Sequence, residues 1–158
     1  MFLLLVVLAG LLGTVFMSLV MWFIHEQGWA NADMIRAVGS LVTRRYEGSV
    51  PPGLLMHLTA GCLFAIPYIL IIRSLGSTNI FVILMVGAAI GAFHGAAMVF
   101  VLMALAEKHP LPQFQTAGPA VGWAHVVGHV AYGVGVAVMV AWLGTRLGVV
   151  THTIMTGS

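Results

Sequence analysis

The stretch GWAHVVGHVAYGVG, from Gly122 to Gly135, sets His125 and His129 one helical turn apart in otherwise apolar surroundings. At that spacing both imidazoles lie on one helical face, the arrangement in which a helix offers two nitrogen lone pairs to one ion. Two further histidines, His57 and His94, stand inside other apolar runs. Imidazole suits first-row metals, and three or four rings complete a site, so His57, His94, His125 and His129 predict capture of a transition metal such as iron, copper or zinc. Alternatively, two of these rings on different helices become the axial ligands of a haem b, with Gly91, Gly95 and Gly128 leaving room for the macrocycle. His25, Glu26, Glu107 and His109 sit near the ends of apolar runs and are auxiliary candidates, as ligands or as groups that orient a ring. Met98, one turn beyond His94, adds a soft thioether.

Ionisable side chains inside a membrane span are costly and mark functional sites by default. A plainer use of these rings is to hydrogen-bond one another, Tyr68, Tyr132 or backbone carbonyls, which holds helices together at about 0.6 to 2 kcal/mol each. On that reading the chain is a cofactor-free accessory or structural subunit of a larger membrane complex. A third reading is copper(I) conduction, in which Met17 and Met21, an MxxxM pair, and Met98 hand the ion to the imidazoles. No enzyme class follows. Ser18 and Thr59 are lone hydroxyls, paired carboxylates at a working distance are missing, and no Gly-rich phosphate loop precedes a helix.

The elements that must position these residues are legible from hydropathy. Of 158 residues, 61% are hydrophobic and 6% charged, a balance that cannot clothe a water-soluble domain. Four runs, residues 2–24, 54–72, 80–106 and 123–143, meet the roughly 20-residue requirement for a spanning helix, predicting an all-α polytopic membrane protein with one four-helix bundle. The first run has no basic region ahead of it and is kept as a span rather than a cleaved signal. Trp123 and Trp142 are 19 residues apart, roughly 28 Å along a helix, which suits one tryptophan in each interfacial belt. Pro67 is expected to kink the second span, and SVPPG to break the chain before it. The third run is longer than a span needs, so its register can slide to bring His94 level with His129.

Between the first two spans, residues 32–47 predict an amphipathic helix on the membrane surface. Met34, Ile35, Val38, Leu41 and Val42 fall on one face; Asp33, Arg36, Ser40, Thr43, Arg44 and Glu47 fall on the other. Asn31 is the expected N-cap and Gly48 the expected C-terminal stop. Arg36, Arg44 and Arg45 are expected to meet lipid headgroups. The proline-rich loop after the third span lies on the same side as this helix, because two spans separate them. Arg36, Arg44, Arg45 and Lys108 on that side outnumber Arg73 and Arg146 on the other, which predicts that side in the cytoplasm and both termini outside. Partners are then membrane lipid and other membrane subunits or further copies of the chain. Nucleic acid is excluded, since no basic stripe with interleaved aromatics is present. The single Cys62 permits neither a disulfide nor a thiolate cage, and His152, in the C-terminal tail, is given no role.

Gly87, Gly91 and Gly95 recur every fourth residue and form a GxxxG stripe for close helix packing, beside which His94 is aimed at a neighbouring helix. Taken with PGLLMHLTAGCLFAIPYIL in the second span and the His129–Gly133 stretch in the fourth, this order of elements resembles that of bacterial four-helix inner-membrane proteins over about residues 50–140. Because those proteins have no established activity, the resemblance implies an architecture and a bacterial inner membrane and carries over no catalytic role. The MxxxM and GxxxG patterns are also similar to helices of copper-uptake trimers, from which the four spans depart. The likeness to small four-helix cytochrome b anchors lacks the paired histidines about 14 residues apart on one helix that many of those use.

Overall fold

A computed structural model describes residues 1–146, with side chains described to Leu143; His152 and the Arg146 side chain lie outside the described residues. The described residues are all-helical, with four helices among them long and apolar enough to cross a membrane: α1 (Phe2–Glu26), α3 (Val50–Ser74), α4 (Ile80–Glu107) and α5 (Pro119–Arg146). A short helix, α2 (Met34–Thr43), lies between α1 and α3, and a three-residue 3-10 turn, Pro112–Phe114, lies between α4 and α5.

Helices α1, α3 and α5 run a few residues past their apolar runs and α4 by one, and local chemistry accounts for the ends. Pro51 and Pro52 do not break the chain; they occupy the first turn of α3, where a missing N–H costs nothing, and Pro119 opens α5 in the same way. Asn79 caps α4, its side-chain oxygen accepting from Phe81 N–H at 2.9 Å. Helix α3 continues through Pro67. By contrast, α2 is shorter than expected at both ends. Its N-cap is Asp33 rather than Asn31, accepting from Arg36 N–H, and it stops at Arg44, which adopts a left-handed conformation (φ 54°) four residues before Gly48.

Helix α5 is the pillar of the bundle. It packs along α4 on one side and α1 on the other, and α1 packs in turn against α3. Each of these seams is a close backbone approach at glycine. A Cβ on Gly10 would meet Gly61 and Cys62, one on Gly13 would meet Tyr132, and ones on Gly87, Gly91 and Gly95 would run into α5 at Gly133, His129 and Val126. No glycine sits on a seam between α3 and α4. Those two helices follow one another in sequence yet their backbones rarely approach, so the ring α3–α1–α5–α4 is bridged between its ends mainly by side chains, Phe64 and Tyr68 of α3 reaching His94 of α4.

Helix α2 does not present its apolar side to the outside alone. It lies across one end of the bundle with Gly39 seated on Ser49 and Gly53 of α3, so tightly that any side chain at Gly39 would strike the Ser49 carbonyl. Ser40, expected on the polar face, is therefore completely buried, its hydroxyl donating to the Arg36 carbonyl at 2.6 Å. The loop after α4 joins α2 on this side, as expected: Asn31 Nδ2 donates to the Gln113 carbonyl at 2.9 Å.

Candidate functional site

Where α3 and α4 part, the bundle holds a cavity of about 260 Å³. Helix α3 contributes His57 and Phe64, α4 contributes His94 and Met98, α5 contributes His125, His129 and Tyr132, and α1 contributes Thr14 and Met17. Met34, Val38 and Leu41 of α2 close one end, together with His109 and Phe114 of the following loop. The four histidines singled out from sequence thus line one cavity from three helices.

The α4–α5 seam is what brings two of them together. Gly91 lies against the backbone of His129, and this close approach sets the His94 and His129 rings edge to face, 4.6 Å between centroids. The His125 and His129 centroids are 6.1 Å apart, as one helical turn dictates. His57 lines the same cavity from α3. Phe64 rests on the His94 ring at 4.5 Å.

In His94, His125 and His129 the ring nitrogen on the δ side is engaged. His129 Nδ1 meets the His125 carbonyl at 2.8 Å, and His125 Nδ1 meets the Val121 carbonyl at 3.3 Å. A carbonyl only accepts, so in the neutral ring Nδ1 carries the proton and Nε2 is left as a lone pair. His94 Nδ1 pairs with the Tyr68 hydroxyl at 3.0 Å. The Nε2 atoms of His57 and His94 are buried without a hydrogen-bond partner. Tyr132, the other tyrosine considered from sequence, donates instead to the Gly61 carbonyl and ties α5 to α3. As the side chains lie, no group of three or more His, Cys, Asp or Glu among the described residues is close enough to hold an ion.

The auxiliary candidates separate. Met98 lines the cavity, as does Met17, whereas Met21 is buried against Gly128. His109 also reaches the cavity wall, but its ring is a strut: Leu111 N–H donates to Nδ1 at 3.1 Å, which leaves Nε2–H to donate to the Ala37 carbonyl at 3.0 Å. Both nitrogens are used in fastening the loop to α2. His25 is half-buried at the end of α1, and Glu26 and Glu107 are exposed; none of the three is on the cavity wall. The one acidic residue there is Asp33, and it is occupied: it caps α2, bridges Arg36 at 3.2 Å and accepts from the Tyr46 hydroxyl at 3.0 Å. The hydrogen bond to Asp33 raises both the Arg36 guanidinium and the Tyr46 hydroxyl above their ordinary pKa ranges. Arg36 also stacks on the Tyr46 ring, so of the three arginines expected at lipid only Arg44 and Arg45 are fully exposed.

Sequence reasoning gave no role to Phe64, Met56, Val101 or Leu105, which form the apolar wall. An apolar residue reads the same whether it faces lipid, a helix or a cavity, so the pattern carried no signal for them. No family model, curated protein or solved structure matches the chain.

Proposed function

We propose that the chain is a membrane-embedded metal-binding protein that holds copper(I) at the histidine end of this cavity. The observation that carries the reading is the state of the rings: His94, His125 and His129 have Nδ1 anchored, on Tyr68 or on a carbonyl, and the Nε2 atoms of His57 and His94 are buried without a hydrogen-bond partner. Anchoring one ring nitrogen so that the other can ligate is the usual support of a metal-bound histidine. Two imidazoles sharing a tetrahedral ion, at metal–nitrogen distances of about 2.0 to 2.1 Å, hold their centroids roughly 5 Å apart. The separations of 4.6 and 6.1 Å bracket that value, so the proposed site needs a small adjustment of the helices and rings to close His94, His125 and His129 on one ion, with His57 as a fourth ligand.

The donor set selects the metal. Imidazoles and the thioethers of Met17 and Met98 share the cavity, while the carboxylates are outside it or occupied. Nitrogen and soft sulfur without oxygen favour copper(I) over iron. A bis-histidine haem fits poorly, because His94 and His129 are in ring contact and leave no slot for a macrocycle between them.

Titration of purified protein with copper(I) under anaerobic reducing conditions, against a chromophoric chelator, tests the reading. One ion per chain is expected, lost in His129→Ala, with about ten-fold weaker binding in Tyr68→Phe, whose ring anchor is gone. Binding well below one ion per chain by a folded protein would leave the histidines as interhelical hydrogen-bonding groups.

A further inference from the structure

The cavity is far larger than an ion requires, and its shape and polarity are unequal from end to end. At one end stand imidazoles; along the α3–α4 gap the wall is Met56, Phe64, Val101 and Leu105. These four are 39 to 46% exposed although they line the cavity, so they form the lips of an opening in the side of the bundle. That side faces lipid in a four-span protein. The end toward the loops is covered by α2, which is fastened by His109 to Ala37 and by Asn31 to Gln113.

We infer that the cavity takes a lipophilic molecule with a hydroxyl on its head, which enters from the bilayer between α3 and α4. The polarity of the head follows from the rings. His125 and His129, with Nδ1–H spent on carbonyls, offer only acceptors at Nε2, and a buried acceptor in a membrane is satisfied by a hydroxyl donor. The body must be apolar, because beyond the histidine end, where the Nε2 atoms of His57 and His94 also lack partners, the wall along the gap is Met56, Phe64, Val101 and Leu105. A volume of about 260 Å³ suits a ring with a short chain rather than a helix of another protein. The inference stands apart from copper binding, since it uses the rings in their metal-free state.

The test uses chelator-washed protein in nanodiscs and two probes of matched shape, 4-hexylphenol and its methyl ether, which cannot donate. Equilibrium dialysis against empty nanodiscs removes simple partition into lipid. Saturable binding of one phenol per chain is expected, about ten-fold tighter than the ether, the worth of one buried hydrogen bond. In a folded His125→Phe, His129→Phe variant that preference should vanish, and Ala60→Phe, which fills the cavity between the lips, should abolish binding of both probes. Non-saturable uptake, or equal affinity for phenol and ether in the unmodified protein, would overturn the inference whether or not the chain binds copper.

Discussion

Ser40 concentrates what residue-scale physics adds to pattern reading. Its hydroxyl back-bonds to Arg36 and Ala37 carbonyls, it is wholly buried, and it stands 3.5 Å from His109 Nε2. Ser40→Ala removes the hydroxyl shared between these two carbonyls and should cost about 1 kcal/mol. Ser40→Glu puts a larger, charged side chain into a wholly buried position, and should cost about 3 kcal/mol or more by forcing α2 off the bundle. Unfolding in detergent, with limited proteolysis at Arg44 and Arg45 as a local readout, checks both; equal stability of the two variants would mean α2 is not seated as described. From sequence alone Ser40 belongs to a solvated face, because amphipathic patterning assumes a helix with one buried side, and α2 has a second one built on Gly39. The four cavity histidines were legible for the opposite reason: an imidazole in an apolar run is expensive wherever it points. What the sequence left open was their wiring. That Tyr68 anchors His94, while His109 is consumed as a strut, depends on contacts between residues 26 and 72 positions apart.

At the scale of elements, glycines decide which helices meet. Gly91 lies on the backbone of His129, so Gly91→Leu should separate α4 from α5, at a cost above the roughly 1 to 3 kcal/mol of ordinary overpacking, and should break up the histidine cluster with it. Ala60→Phe points into the cavity rather than a seam and should leave the fold intact while filling that space. Comparing the two by thermal unfolding in detergent separates seam from cavity: similar losses would mean that α3 and α4 are packed together in the membrane. The span count was readable because each run exceeds the hydrocarbon thickness and few charges interrupt it. The order of helices around the ring was not, since a helix apolar on all faces does not say which face meets lipid and which meets a neighbour. The GAAIGAFHG pattern marked a close seam on α4, but only the fold identifies α5 as its partner.

For the molecule as a whole, the covered end makes the two sides of the membrane unlike. One side carries α2, the 3-10 turn and the loop between α4 and α5; the other carries the tight α3–α4 connection through Gly76, which adopts a positive φ of 60°. The exposed Trp22, Trp123 and Trp142 sit near helix ends, where tryptophan prefers the headgroup level. Arg36, Arg44, Arg45 and Lys108 all belong to the covered side, which the positive-inside bias predicts to face the cytoplasm. Single cysteines at the exposed positions Glu47 and Gln113, in a Cys62→Ser background, test this in intact bacterial cells expressing the chain. The hydrogen bonds that join α2 to the loop put both positions on one side, so they must label together whichever way the protein is inserted. Neither should react with an impermeant maleimide until the cells are opened. Labelling of both from outside would invert the orientation and leave the fold untouched, whereas labelling of one alone would break the four-span topology on which the cavity, its lateral opening and its histidine end all depend.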